Sequence, residues 1–277
     1  MSCILTLLGL FLPGCSDYEL GTTKDEGPVW DTADTADTPD TGPPTLADEP
    51  YGKVVTILLT LSDDWMDQTT SRLLLLNAVD WAVPSGTSDP RVLVLRDDDH
   101  AGEDVEDSEL SYERLLDAGY DVDLVEEPDG GLGLEDLQAY DVVMFSNPGH
   151  SPEDLSTLEA FYDFSRMGRG LVLQGDDMAH FEDASAFSME SLTRLVYIDN
   201  GTEYYGHDID NDEGDAYAVT LANNAHPVVD GIEGITFRYG NDIDTTEAGS
   251  AQVTVLATAT VEGTSLDAKP AIAAYSP

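Results

Sequence analysis

The sequence predicts a three-layer α/β sandwich in which a mainly parallel sheet lies between helices on both faces. Continuous apolar runs such as Val54–Leu61 and Gly170–Gln174 are typical of strands that are buried on both faces. Segments with helical periodicity separate these runs, and shorter strand-like runs follow after about Tyr197. This alternation favours parallel strands joined by helical crossovers, with antiparallel strands near the C-terminus.

The part of the chain from Tyr51 to Gln174 alternates strand and helix. The predicted strands are Val54–Leu61, Arg91–Leu95, Asp121–Val125, Val142–Phe145 and Gly170–Gln174. The predicted helices are Thr69–Trp81, Ser108–Ala118 with Gly119 as its C-terminal stop, and one from Ser151–Asp154 to Gly168. The third helix has a strong start, because Ser151 can cap it and Pro152 suits its first turn.

In the last part of the domain, the sequence predicts short strands after a polar, acidic loop at Gly206–Asp215. These strands are Ala216–Leu221, Ile235–Arg238, Gln252–Ala259 and Pro270–Tyr275. Within the first helix, the run Leu73–Leu76 predicts deep burial.

The charge of the chain is extreme. Among 277 residues, 11 Lys and Arg face 56 Asp and Glu, which gives a formal net charge of -45. Such a surface repels nucleic-acid phosphates and anionic lipid headgroups, so no nucleic-acid partner is expected. The acidity suits a solvated protein that tolerates salt or binds cations.

The N-terminus predicts export. Ile4–Leu12 is an apolar run that is too short to span a bilayer, as in signal peptides. The sequence Leu12-Pro13-Gly14-Cys15 that follows resembles a bacterial lipobox. We therefore expect residues 1–15 to be a signal peptide, Cys15 to be lipidated, and the exported protein to be anchored to a membrane in the cell envelope. The alternatives are a plain secretory signal and a chance apolar start.

A linker is expected to follow, over residues 16–50. It repeats Asp-Thr with Pro and Gly between Asp31 and Pro44, and this composition offers nothing to bury and repels itself. We expect a disordered spacer that holds the domain, residues 51–277, away from the membrane. A calcium-binding repeat is the alternative.

Several segments together suggest a family. Four segments resemble the class I glutamine amidotransferase-like superfamily: Arg91–Leu95, Leu115–Val125, Tyr140–Phe145 and Gly170–Asp177. In addition, His226-Pro227 followed by Gly231 resembles a loop of the non-catalytic members of that superfamily. The resemblance covers about residues 91–277 and implies a flavodoxin-like fold.

The resemblance also implies where a nucleophile would lie. Enzymes of that superfamily place a Cys in the sharp turn after the strand that matches Gly170–Gln174, but here the turn reads Gly175-Asp176-Asp177-Met178. A carboxylate cannot replace the thiolate in that route, and the chain's cysteines are Cys3 and Cys15. No Gly-x-Ser-x-Gly motif is present either. We therefore expect a catalytically inactive scaffold.

The order of the segments suggests a circular permutation. Tyr51–Val55 and Leu74–Trp81 look like the strand and helix that usually end such a domain, yet here they come first. We hypothesise that Val54–Leu61 joins the sheet antiparallel to the strand near Pro270–Tyr275. The alternative is an extra strand–helix unit at the N-terminus.

Acidic turns follow several predicted strands and share the carboxyl edge of a parallel sheet, where doubly wound folds bind ligands. The candidate ligand- or cation-binding residues are Asp63, Asp64, Asp97, Asp98, Asp99, His100, His150, Asp176, Asp177 and His180. Carboxylates beside imidazoles can hold a divalent cation that activates a water. The alternative is an unligated acidic edge, because Asp favours turns and helix caps. No other cofactor is predicted.

Other polar motifs favour structural roles. Asp208-x-Asp210-x-Asp212 is similar to part of an EF-hand loop but lacks its glycine and closing glutamate, so a solvated loop is expected. His226 is expected to set a turn before Pro227. Trp65 and Trp81 are expected to pack in or beside the core.

The sequence is compatible with two functions. The first is an exported, surface-tethered binding or accessory lipoprotein whose partner is an envelope protein or a glycan. The alternative is a metal-dependent extracellular hydrolase that acts at the acidic edge, and convergence of Asp64, Asp98 and Asp177 would favour it.

Overall fold

The computed structural model describes residues 52–63, 66–96, 103–146, 155–175, 185–197, 217–237, 246–263, 265 and 267–277. All of them lie in one compact unit, Leu46–Pro277. Within these ranges no helix combines the length and the apolar character that a membrane crossing requires.

Strands and helices alternate in the first part of the domain, and strands dominate the last part. The strands are β1 Val54–Ile57, β2 Arg91–Arg96, β3 Asp121–Glu126, β4 Val142–Ser146, β5 Gly170–Gln174, β6 Leu195–Tyr197, β7 Tyr217–Leu221, β8 Ile235–Phe237, β9 Thr246–Ala248, β10 Val253–Val261 and β11 Lys269–Tyr275. The helices are α1 Gln68–Ala82, α2 Glu103–Ala118, α3 Leu134–Leu137, α4 Leu155–Arg166 and α5 Ser185–Thr193, with a 3-10 turn at Pro227–Val229.

Nine of these strands form one mixed sheet in the order β3-β2-β4-β5-β1-β11-β10-β7-β8. The strands from β3 to β1 run parallel to one another. From β1 onward each neighbouring pair is antiparallel. The predicted fold class, with parallel strands first and antiparallel strands near the C-terminus, is therefore confirmed. β6 and β9 form a separate two-stranded sheet.

Helices cover both faces of the parallel part. The crossovers through α1 and α2 lead toward β3, whereas those through α3 and α4 lead the opposite way. Because such crossovers are right-handed, the two groups of helices lie on opposite faces of the sheet. α1 packs against α2, and α4 packs against α3 and α5. The result is the expected three-layer sandwich.

The strand order matches the permutation hypothesis. The parallel part, β3-β2-β4-β5-β1, has the flavodoxin-like order, but its fifth position holds the strand that comes first in the chain. β1 also pairs antiparallel with β11, with Val54 opposite Tyr275 and Ile57 opposite Ile272. The predicted neighbourhood of these two strands is confirmed.

The apolar run Val54–Leu61 is longer than the strand that it forms. β1 ends at Ile57, whereas Leu58, Leu59 and Leu61 stay almost fully buried beyond it. The neighbouring β5 ends at the same level, since Ile57 lies opposite Gln174. The predicted end of the strand was therefore wrong by four residues, because burial continues beyond the point where strand pairing stops.

The burial of the leucine run in helix α1 also differs from the prediction. Leu74 and Leu75 are fully buried, but Leu73 and Leu76 are only partly buried. Four successive residues span slightly more than one helical turn, so they cannot all face the core. Asp67 caps the helix by accepting hydrogen bonds from the backbone N–H groups of Thr69 and Thr70 at 3.1 Å each.

Candidate functional site

The carboxyl edge of the parallel strands is the site that the fold favours. β2 and β4 are neighbours, yet the helices that follow them lie on opposite faces, and doubly wound folds bind ligands at such a point. Asp63 is within the described residues. The other candidates lie outside them: Asp64, Asp97, Asp98, Asp99, His100, His150, Asp176, Asp177 and His180.

Asp63 is paired with a buried arginine. The guanidinium of Arg114, on α2, contacts Asp63 Oδ1, and the Arg114 side chain is only 6% exposed. Arg114 also donates to Ser71 Oγ at 2.6 Å and to the carbonyl of Leu61 at 3.3 Å. The second carboxylate oxygen of Asp63 accepts a hydrogen bond from Gln68 Nε2 at 3.1 Å. A metal ion at Asp63 would therefore compete with a cation that the protein already supplies.

Buried hydroxyl and amide groups join the ends of β4 and β5. Ser146 lies opposite Gln174, and its Oγ donates to Gln174 Oε1 at 2.9 Å. Gln174 Nε2 donates to the carbonyl of Leu59 at 3.4 Å, and Ser108 Oγ on α2 donates to the carbonyl of Ser146 at 2.9 Å. Ser108, Ser146 and Gln174 are fully buried. This network joins the ends of β4 and β5 directly before Gly175, the last described residue of this segment.

A buried carboxylate lies just past the end of β3. Glu127 is 3% exposed and accepts a hydrogen bond from Thr157 Oγ1 of α4. Thr157 Oγ1 itself accepts from the backbone N–H of Leu132 at 2.8 Å, and the N–H of Glu127 donates to the carbonyl of Arg96 at 2.8 Å. Glu127 therefore fastens the turn after β3 to α4.

The described acids of this edge hold the structure together. Asp63 contacts Arg114, Glu126 lies 2.7 Å from Arg96, and Glu127 binds Thr157. Within the described ranges, no group of three or more His, Cys, Asp or Glu side chains could hold a metal ion. A cation site at this edge would thus depend on the turns outside those ranges.

Solved structures with a similar fold were found. A ThuA-like protein of Bacteroides uniformis is 15% identical, with 67% of this chain and 77% of that chain covered and a TM-score of 0.46. A ThuA-like protein of Parabacteroides merdae is 18% identical, with 62% and 68% covered and a TM-score of 0.39. A GMP synthase subunit of Thermoplasma acidophilum is 12% identical, with 67% and 82% covered and a TM-score of 0.39.

No family model matches this chain, and no curated protein matches it.

His226 lies away from this edge, near the amino end of β1. It has the extended backbone expected before Pro227, and its Nδ1 accepts a hydrogen bond from the N–H of Val228 at 3.3 Å. The predicted turn is confirmed. The imidazole lies 5.1 Å from the ring of Trp81, which packs against the core as expected. Trp65 and the Asp208–Asp212 loop lie outside the described residues.

Sequence reasoning missed the residues that hold the edge together. Ser108, Ser111 and Arg114 recur at helical spacing on α2, and all three are buried. A polar stripe on the inner side of a helix is a readable signal, because buried polar groups need partners. Glu127 and Gln174 carry no such signal, since polar residues at the end of a strand or just after it are common in exposed turns.

Proposed function

We propose that this chain is an exported binding or accessory protein, tethered to the cell envelope through a lipid on Cys15. Its domain is then an amidotransferase-like scaffold that lacks amidotransferase chemistry. The observation that most supports the absence of amidotransferase chemistry lies at the end of β5. There Gln174 is held in a buried hydrogen-bond network, and the sequence from Gly175 to Met178 has no thiol.

Two described hydroxyl groups near the end of β4, those of Ser146 and Ser108, are poorly suited to replace the thiol. Ser146 Oγ donates its hydrogen to Gln174, and Ser108 Oγ donates its hydrogen to the carbonyl of Ser146. Both serines are fully buried, so neither is presented to a substrate. A serine nucleophile needs an exposed position and a base within hydrogen-bonding distance.

The charge of the chain limits the classes of partner that the domain can bind. A net charge of -45 repels nucleic acid, whereas neutral glycans and proteins with basic patches remain compatible with it. The described arginines at the edge are paired with acids, so an anionic ligand would find little free positive charge there. We therefore propose an envelope protein or a neutral glycan as the partner.

Anchoring is tested by labelling the full chain with a palmitate analogue in a bacterial host. The wild type and Cys3→Ser should incorporate the label and fractionate with membranes, while Cys15→Ser should do neither. An unlabelled wild type, or equal labelling of Cys15→Ser, would contradict the lipid anchor.

Activity is tested separately on the purified domain. Glutamine hydrolysis and a panel of peptide, ester and glycan substrates should show no turnover above a heat-inactivated sample, with or without added Ca²⁺, Mg²⁺, Mn²⁺ or Zn²⁺. Turnover that a chelator abolishes would instead support the metal-dependent hydrolase. Turnover that is insensitive to chelator would contradict both proposals.

A further inference from the structure

The 3-10 turn at Pro227–Val229 lies in the antiparallel part of the chain and packs against helix α1. It connects β7 to β8, and Val228 and Val229 are buried in the core. Asn77 of α1 donates a hydrogen bond through Nδ2 to the carbonyl of Asp230 at 2.9 Å, directly after the turn. The position of this turn therefore depends on its contacts with α1 and on the side chain that caps its start.

His226 caps the start of the turn in a way that requires a neutral imidazole. Its Nδ1 accepts the hydrogen bond from the N–H of Val228 at 3.3 Å. A ring nitrogen can accept only while it carries a lone pair, and both nitrogens of a protonated imidazole are donors. Protonation on Nδ1 would place two donors face to face and remove the cap.

The surroundings of His226 also disfavour a positive charge. The imidazole lies 5.1 Å from the indole of Trp81, and the ammonium of Lys53 lies 5.1 Å from the centroid of the same indole. Lys53 is fixed there, since its Nζ donates to the carbonyl of Trp81 at 2.7 Å. A protonated imidazole could be attracted to the indole, but it would share that ring with a second cation.

Two acids of these elements, Asp80 and Asp230, do not offset the effect of Lys53. Asp80 of α1 accepts a hydrogen bond from the hydroxyl of Tyr120, and Asp230 at the end of the turn is exposed. Partial burial, followed by the charge of Lys53, holds the pKa of His226 below its ordinary value of 6.5.

We propose that His226 is an acid-sensitive clasp: while neutral it fixes the turn at Pro227–Val229 against α1, and on protonation it releases the turn. The sign follows from linkage. Because folding lowers the affinity of this imidazole for a proton, its contribution to stability is complete above pH 6.5 and is lost as the pH falls through the folded value. The release is local and leaves the nine-stranded sheet in place.

Nuclear magnetic resonance tests the clasp on the full domain between about pH 5 and about pH 7.5, the range in which imidazoles titrate. The ring signal of His226, assigned by its loss in His226→Asn, should titrate with a midpoint below 6.5. Protection of the Val228 amide against hydrogen exchange, corrected for the intrinsic rate, should fall with the same midpoint.

Three variants separate the clasp from ordinary acid unfolding. His226→Asn keeps a capping acceptor that does not titrate, so protection of Val228 should become independent of pH in this range. Lys53→Met removes the ammonium and should raise the midpoint toward 6.5. Asn223→Ala removes a nearby cap, the 3.3 Å hydrogen bond from Ala225 N–H to Asn223 Oδ1, and should leave the pH dependence of Val228 unchanged.

The proposal fails if Val228 of the wild type keeps constant protection while His226 titrates, or if His226→Asn shows the same pH dependence as the wild type. A midpoint at or above 6.5 would also overturn it.

Discussion

Val54 lies opposite Tyr275 in an antiparallel ladder, so β1 and β11 are direct neighbours in the sheet. Their outer ends, Gly52 and Pro277, are therefore close in space, because each lies only two residues from a paired position. A short linker between them would close a hairpin from β11 into β1, and no existing strand pair would have to break.

A permuted chain is expected to fold. We predict that joining residue 277 to residue 52 with a short Gly/Ser linker, and opening the chain in the exposed turn at residues 85–89, gives a cooperative domain. Its Tm should stay within about 4 °C of that of the parent domain, which corresponds to roughly 1 kcal/mol at this size. Circular dichroism during thermal unfolding provides the measurement.

A matched permutant sharpens that test. A second permutant opens the chain between Val172 and Leu173, in the fully buried strand β5. This opening should abolish cooperative unfolding, because it interrupts the ladders of β5 with β1 and β4. Equal behaviour of the two permutants would mean that the neighbourhood of Val54 and Tyr275 does not govern folding.

The parallel part of the fold could be predicted because its signal is local. Continuous apolar runs mark β2, β4 and β5, and an alternating run marks β3, each to within one residue. Gly119 ends α2 with a positive φ of 95°, as its position after the helix predicts. The short elements α3 and β9 were missed, since four or three residues are too few to show a period.

The contacts of the candidate site could not be predicted, because they join residues that are far apart in the chain. Asp63 and Arg114 are separated by 51 positions, and Gln174 and Leu59 by 115. Acidic residues after strands are visible in the sequence, but the sequence does not show which of them has a cation beside it. Asp63 was expected to be available to a ligand, whereas its carboxylate binds Arg114 and Gln68.

Replacing Arg114 should destabilise the domain strongly. Arg114→Met leaves Asp63 without its cation and Ser71 without its donor, so we expect a loss of about 3 kcal/mol in the free energy of unfolding. Urea denaturation measures this loss. Arg91→Met is the matched control, because the Arg91 side chain is 41% exposed and its pairs with Asp121 and Asp123 should contribute less than about 1 kcal/mol. Equal losses in the two variants would contradict a structural role for the Arg114 pair.

The network at the end of β4 and β5 predicts coupling between two residues. Ser146→Ala leaves the buried Oε1 of Gln174 without its donor and should cost about 1–3 kcal/mol. Adding Gln174→Leu removes the stranded group, so the double variant should lose less than the sum of the two single variants. Ser165→Ala is the control: Ser165 is equally buried, but within the described residues its Oγ makes no hydrogen bond. Additive losses at Ser146 and Gln174 would exclude the coupling.

Salt should stabilise the domain because most of its charge is uncompensated. Described cations such as Arg91, Arg96, Arg114, Arg169 and Lys269 form ion pairs with acids, but the chain has 56 acidic residues and only 11 Lys and Arg in total. The excess carboxylates repel one another in the compact state more than in the extended chain. Raising NaCl from about 0.1 M to about 1 M shortens the screening length from about 10 Å to about 3 Å, so the urea midpoint should rise.

The cause of such a rise can be resolved with a second salt and an uncharged solute. Sucrose at equal osmolality strengthens burial without screening charge, and it should raise the urea midpoint less than NaCl does. CaCl₂ at equal ionic strength should match NaCl if screening alone acts. A much larger effect at micromolar Ca²⁺ would reveal specific binding by the acidic turns, which the described part of the carboxyl edge does not provide. An unchanged midpoint in NaCl would mean that charge repulsion contributes little to the stability of this fold.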